Sequence, residues 1–473
     1  MNAIPLTVTE AAAALRAGTV TATELMDHAL QRADQLDAQL GVYITRYDDS
    51  ARAAAAAVDD RVAAGETLRP LEGIPLGVKD IFAESQGPTT AQSLVLDPAW
   101  AEAVGEAVTV TRLKEAGAIV TGKVTTMEFA MGAPDPQKPF PIPRNAWDLE
   151  RWAGGSSSGS GSGVAAGMFL AANGTDTGGS IRIPSAYNGV TGIKPTYGLV
   201  PNSGLTPLSF SMDHVGPLAR SAADCALLLT TMAGADPSDQ DSVQRPALDY
   251  PSLLTGELAG VRIGVDDLDR FADGGIDPRQ ADLFAAALSH LSDAGADLVP
   301  VQLPMYREVT VVGIVTMLSE ALAYHRNDLV SRWDDYSQSL RIGLALGDAF
   351  TAADYIQAQR VRRIAGDKLR DLFSQVDLVV TPTAHMGAPR LDSMSHLRPL
   401  ESMPSMHTIY WDPMGNPSLS LPIGLSAEST PLAMSIIGAH WADGLVLRAG
   451  DAIQQRSQHH LTLSPLVAQP QPA

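Results

Sequence analysis

Two glycine- and serine-rich runs constrain this chain more than any other feature: Gly154-Gly155-Ser156-Ser157-Ser158-Gly159-Ser160 and Gly174-Thr175-Asp176-Thr177-Gly178-Gly179-Ser180-Ile181-Arg182-Ile183-Pro184. A single run of this kind is commonly a flexible linker. A second run at a set distance, closed by Arg182 and Pro184, reverses that reading. The two glycines before Ser180 let the backbone turn sharply and approach a reactant without a Cβ in the way. The consecutive N–H groups of Thr177, Gly178, Gly179 and Ser180 could converge on a developing oxyanion, where each donor is worth roughly 2.7–4 kcal/mol. A serine hydroxyl is a weak nucleophile until a neighbouring base takes its proton. Upstream, Gly73-Ile74-Pro75-Leu76-Gly77-Val78-Lys79-Asp80 places a lysine at the end of an apolar run. Lysines are ordinarily solvated. Lys79 becomes a base only when neutral, a form that burial favours and the adjacent Asp80 would partly oppose.

In these motifs the chain resembles the amidase signature family, serine hydrolases that cleave C–N bonds next to a carbonyl. Ser180 follows Ser156 by 24 residues (180 − 156), the family's separation between bridging serine and nucleophile. The resemblance implies that Ser180 attacks, Ser156 relays the proton from a cis Gly155–Ser156 peptide, and Lys79 receives it. This is triad logic without histidine. Ser157, Asp176 and Arg182 would support these groups. Met127, Phe129 and Met131, in a segment similar to one beside the family's active site, would border the substrate pocket. The likeness continues through Gly192–Gly198, Asp213–Arg220, Asp377–Thr383 and Met414–Pro422, and spans about residues 8 to 460. It departs at Asp412, where relatives usually carry asparagine, at Ser435, where they carry glutamine, and at Ala146, where proline commonly follows the asparagine. These departures spare the catalytic positions but weaken any analogy of substrate.

Length alone, 473 residues, suggests two or three domains. The resemblance implies instead one α/β domain over 1–473, with a central mixed, twisted β-sheet flanked by helices on both faces. Its parts would be N-terminal helices over 8–64, a catalytic core over 68–230, a helical cover of the pocket over 300–375, C-terminal core strands and a helix over 376–460, and a loose tail over 464–473. With 45% hydrophobic and 18% charged residues there is material for a sizeable core. The net charge of −20 repels phosphate backbones, so nucleic acid is not an expected partner. The lone Cys225 excludes an intramolecular disulfide. It reads as a buried residue in a helix that Ser221 caps. The histidines show no compact metal spacing, and Gly159, Gly161 and Gly163 lack a glycine that a dinucleotide fingerprint demands. No metal or cofactor is expected. Residues Met1–Thr7 lack the regions of a signal peptide, and no apolar stretch has the length to span a bilayer, so a cytoplasmic enzyme without membrane contact is expected.

Local patterns predict a helix over Glu10–Arg16 capped by Thr9, another over Ala22–Asp37 capped by Thr21, a strand at Val42–Thr45 and an alanine-rich helix over Ala51–Ala64. A helix over Thr109–Ala116 leads into a strand at Ala118–Lys123. Prolines at 134, 136, 139, 141 and 143 demand an extended loop that either borders the pocket or forms a rigid excursion. Beyond it, strands at Val261–Val265 and Asp297–Gln302 alternate with helices over 279–293, 309–330 and 351–374, the mark of a layered α/β fold.

The implied activity is hydrolysis of an amide, aryl amide or related acyl–nitrogen bond other than a peptide bond, through an acyl-enzyme, with carbamate (urethane) or ester bonds within reach. The substrate would be a small-molecule amide or carbamate, and a homodimer is common in the family. The alternative is a glutamine-amidotransferase A-type subunit, which shares these motifs and acts with partner subunits. A non-catalytic scaffold would not be expected to keep all three catalytic positions filled.

Overall fold

The computed structural model describes residues 4–246, 248–394 and 406–468. Eleven strands form one sheet: β1 (Tyr43–Arg46), β2 (Pro75–Lys79), β3 (Ile119–Val124), β4 (Ala171–Asp176), β5 (Thr191–Lys194), β6 (His214–Ala219), β7 (Arg262–Val265), β8 (Asp297–Pro300), β9 (Leu378–Pro382), β10 (Ser418–Leu425) and β11 (Pro431–Gly438). Their order is β1-β3-β2-β4-β6-β5-β10-β11-β9-β7-β8. β2 runs parallel to β3 and β4, and β7 parallel to β8 and β9, while the other pairs are antiparallel. The sheet is therefore mixed, with helices on both faces. Strands β2 to β6 are buried along their whole length. This is why they read as runs of apolar and small residues without alternation.

Parallel pairing of β2 with β4 positions the site. The register joins Leu76 to Ala171 and Gly77 to Ala172, so Lys79 and Asp176 emerge from the same edge of the sheet. Crevices outside the carboxyl ends of strands are the common ligand sites of α/β sheets. Between the two strands runs the helix Ser158–Ala166, whose Ser-Gly repeats are poor helix formers. All nine of its residues are buried, so tertiary packing overrides propensity. Small residues are what the packing requires: a Cβ at Gly163 would strike the Phe169 ring, and one at Gly77 would lie 2.7 Å from it. Phe169 thus fills the space between helix and strand and meets Tyr43 edge-on, with centroids 5.9 Å apart.

The N-terminal helix runs from Val8 to Ala17, and its cap is Thr7, not Thr9. Glu10 occupies the third helical position and closes a capping box with Thr7, as Glu24 does with Thr21 at Ala22–Leu40. Thr9 is instead tied to Asp224, its N–H at 2.9 Å and its hydroxyl at 3.0 Å. At the other end, Pro465–Ala468 forms a helical turn with Val467 buried, so 464–468 is docked and not a loose tail. Residues 469–473 lie outside the described residues. Cys225 is buried in a helix, Ala222–Met232, capped by Ser221. Among the described residues no helix is long and apolar enough to cross a membrane.

Truncating Phe169 to alanine should empty the space between Gly77 and Gly163. The expected loss is about 3–5 kcal/mol, read as a lower midpoint in denaturant unfolding.

Candidate active site

Lys79 is fully buried at the end of β2. Its N–H donates to Asn173 Oδ1 at 2.9 Å. Its Nζ meets three hydroxyls: Ser156 Oγ at 2.8 Å, Thr175 Oγ1 at 2.7 Å and Ser157 Oγ at 3.1 Å. Burial pushes the amine down to about 7, against the opposing charges of Asp176 and Asp213. A neutral amine has two protons to give and one lone pair, which matches three hydroxyl partners. Asp80 does not take the part expected of it. Its carboxylate turns away to Lys123 Nζ at 3.2 Å and to the hydroxyl of Thr90. Successive residues of an extended segment point to opposite sides, so the nearest residue in sequence is not the nearest charge.

The Gly155–Ser156 peptide is cis. Ser156 and Ser180 line one cavity of about 100 Å³. Among the described residues the Ser180 hydroxyl has no hydrogen-bond partner, and none joins it to Ser156; the Ser180 carbonyl accepts the Ser157 N–H at 3.2 Å. The loop before Ser180 is anchored from beneath. Asp176 accepts the N–H groups of Gly179 at 2.6 Å and Ile181 at 3.1 Å, and takes Arg182 bidentately through Nε at 2.9 Å and Nη2 at 2.8 Å. Burial alone would raise the Asp176 carboxyl, but Arg182 holds it well below the usual carboxylate range. Because Asp176 engages the Gly179 amide, that donor is turned from the cavity. Among the described residues, the N–H groups left without a partner in this turn are those of Thr177, Gly178 and Ser180. Gly179 has φ +127°, and a Cβ there would collide with Thr408 Oγ1. Only glycine fits.

Sequence reasoning missed the second support of this loop. Thr408 Oγ1 donates to the Gly178 carbonyl at 2.7 Å, and its own carbonyl accepts Arg182 Nη1 at 2.8 Å. Thr177 Oγ1 donates to Asp213 Oδ1 at 2.6 Å. Burial raises that carboxyl to about 6. Thr175, by contrast, was within reach of sequence reasoning: it lies two residues before Thr177 in the glycine-rich motif.

Of the expected pocket residues, Met127 and Met131 line the cavity and Phe129 does not. Phe129 has φ +45° and turns away to pack on His325, with centroids 4.4 Å apart. The helices Tyr306–Arg332 and Gln338–Ala349 complete the wall with Met317 and Leu318, and with Ser339, Gly343 and Leu346. Trp152, Ile183, Met394 and Met406 also face it, and no described lining residue is charged. The proline-rich loop itself is absent from the described lining; only the preceding Gly132 and Ala133 contribute. Lys138 in that loop donates to the carbonyls of Asp334 and Asp335, both at 2.9 Å, which ties the loop to the link between the two covering helices.

Comparison with known proteins places the chain in a class. A family described as Amidase matches residues 24–447, and the chain belongs to this amidase signature family of enzymes acting on C–N bonds. It is 37% identical to the glutamyl-tRNA(Gln) amidotransferase A-type subunit of Halorhodospira halophila, over 96% of this chain and 98% of that one. It is also 37% identical to an amidase of Pseudomonas putida, over 96% and 97%. The crystal structure of native peptide amidase from Stenotrophomonas maltophilia superposes with a TM-score of 0.81 at 30% identity, covering 96% of this chain and 98% of that one.

Exchanging Asp176 for asparagine turns one acceptor oxygen into an NH2 donor, so the Gly179 and Ile181 amides can no longer both be held, and it leaves Arg182 without its bidentate partner. The expected stability loss is about 3–5 kcal/mol, measured by denaturant unfolding, with hydrolysis falling in the fraction that stays folded.

Proposed function

We propose that this chain is a serine hydrolase that cleaves amide or related acyl–nitrogen bonds in small, neutral, largely apolar substrates, aryl amides and carbamates among them. The observation that carries this reading is a buried Lys79 amine, held by hydroxyls next to a free Ser180 hydroxyl on the wall of a cavity with no charged described lining residue. Ser180 Oγ attacks the carbonyl carbon and gives its proton to Ser156 Oγ, whose own proton passes to Lys79 Nζ. The carbonyl π electrons move to oxygen, where the amides of Thr177, Gly178 and Ser180 receive the charge. Collapse of this intermediate breaks the C–N bond. The leaving nitrogen takes a proton back from Lys79 through Ser156. Water then enters by the same relay and releases the acyl group, which restores Ser180. Ser157 and Thr175 hold the amine in place, and Asp176 with Arg182 holds the loop.

A second reading, an amidotransferase A-type subunit that passes ammonia from glutamine to a partner, is favoured by the names of relatives such as that of Halorhodospira halophila. Free glutamine carries an ammonium and a carboxylate next to its side chain. Charges taken out of water need charged or hydrogen-bonding partners, and the described lining offers no charged one. The deciding experiment is a panel of apolar aryl amides, carbamates, primary amides and glutamine, given to the purified chain alone. Turnover of the apolar amides or carbamates with little on glutamine supports the main reading. Activity confined to glutamine, or dependent on added subunits, supports the second.

Only neutral Lys79 serves as base, so kcat/KM should rise about tenfold per pH unit below about 7 and reach a plateau just above it. Lys79→Ala should remove most of the activity. Lys79→Arg should not restore it, because a guanidinium stays protonated throughout. A serine-directed covalent inhibitor should add its mass to the peptide containing Ser180, read by mass spectrometry, and Ser180→Ala should abolish the label.

A further inference from the structure

Beneath the Ser180 loop, Arg182 is fully buried and its Nη2 donates to two carboxyls at once, Asp176 Oδ1 and Asp412 Oδ2, each at 2.8 Å. Asp176 is amply supplied with donors by Arg182 and the loop amides. Among the described residues Asp412, on the turn Trp411–Met414, receives only the one N–H. Its Oδ1 is buried with no donor among the described residues. The two carboxyls nevertheless meet at one nitrogen, each with an oxygen 2.8 Å from Arg182 Nη2. Ionised carboxylates only accept, so a contact between two of them requires a proton. Like charges sharing a buried site cannot both be carried freely.

The remaining groups facing this pair do not supply the missing donor. Lys194, at the end of β5, gives its Nζ to the Asn416 carbonyl at 2.5 Å, and burial lowers it to about 8. His214, at the start of β6, is held well below its ordinary value by burial and turns Nδ1 to the carbonyls of Met212 at 2.6 Å and Asp176 at 3.2 Å. Asp443, heading the helix Asp443–Arg456, is engaged by Thr196.

We propose that Asp412 keeps its proton at neutral pH and donates it to Asp176, making Asp412 a positioning residue for the Ser180 loop. In that form it carries no charge to compete for Arg182, and it braces the Asp176 carboxylate that holds the Gly179 and Ile181 amides. Burial pushes the Asp412 carboxyl well above the usual carboxylate range, outweighing the pull of Arg182, and the neighbouring Asp176 charge adds to the rise. Asparagine would present a permanent N–H to the same acceptor. Aspartic acid preserves the hydrogen bond but makes it titratable: loss of the proton at alkaline pH sets two carboxylates against each other and loosens the loop.

Two measurements test this. An atomic-resolution crystal structure of the wild-type protein at pH 7 should show two unequal C–O bonds at Asp412; equal bonds overturn the proposal, and this readout needs no turnover. The kinetic part rests on Ser180 being the nucleophile. Wild-type kcat/KM should fall at alkaline pH, and Asp412→Asn should lack that fall. At pH 7 Asp412→Ala should lose at least about tenfold, the scale of one buried hydrogen bond, with Asp412→Asn restoring most of the loss. An alkaline fall that persists in Asp412→Asn, or an asparagine variant as impaired as alanine, overturns it.

Discussion

Taking the Lys79 amine out of water is the constraint on which the rest of this structure depends. A buried ammonium would cost several kcal/mol beyond what its surroundings return, and the nearest carboxylates are committed elsewhere: Asp176 to Arg182, Asp213 to Thr177, Asp80 to Lys123. Hydroxyls are suited to a neutral amine because each can either give or accept a proton. Three of them surround Nζ, drawn from the turn at Ser156–Ser157 and from β4. Bringing them together requires the parallel pairing of β2 and β4 and a helix slim enough to lie against both strands. The serine–glycine composition of 158–163 follows from that geometry.

Much of this was legible in the sequence because the signals are local. The glycine pair before Ser180, the apolar run ahead of Lys79, the caps at Thr21 and Ser221 and the alternation of strands and helices beyond residue 260 all express short-range rules. What was not legible depends on contacts between distant segments. Thr408 lies 228 residues after Ser180 (408 − 180), and nothing around it announces that it holds the Gly178 carbonyl. Phe129 belongs to the right segment, but its positive φ turns the ring into the core. A cap at Thr9 would put Glu10 only one residue on, whereas a capping box sets cap and glutamate three residues apart, which is the spacing of Thr7 and Glu10. The expectation that four amides face the oxyanion did not foresee that the aspartate within the motif would claim one of them.

The proposed machinery and the proposed recognition surface come from different parts of the chain. Lys79, Ser156 and Ser180 sit on the sheet and its adjoining turns, whereas much of the cavity wall comes from the helices Tyr306–Arg332 and Gln338–Ala349. Such a division lets one set of hydroxyls and amides serve different substrates when the covering helices change. It also fits a family whose members, similar over nearly their whole length, carry names as different as an amidotransferase component, an amidase and a peptide amidase. Site chemistry and substrate choice are separate questions here.

The cavity wall is unusual in one respect: Met127, Met131, Met317, Met394 and Met406 all face it. Thioether side chains are unbranched and polarisable, so they remould around acyl groups of different shape at little cost. The same chemistry makes the wall sensitive to oxidants. Conversion to the sulfoxide would place polar, chiral groups along a surface whose described lining is largely apolar, and it would do so without touching Lys79, Ser156 or Ser180. Peroxide exposure would therefore impair selection of substrate before it impaired chemistry, and a sulfoxide reductase would restore it.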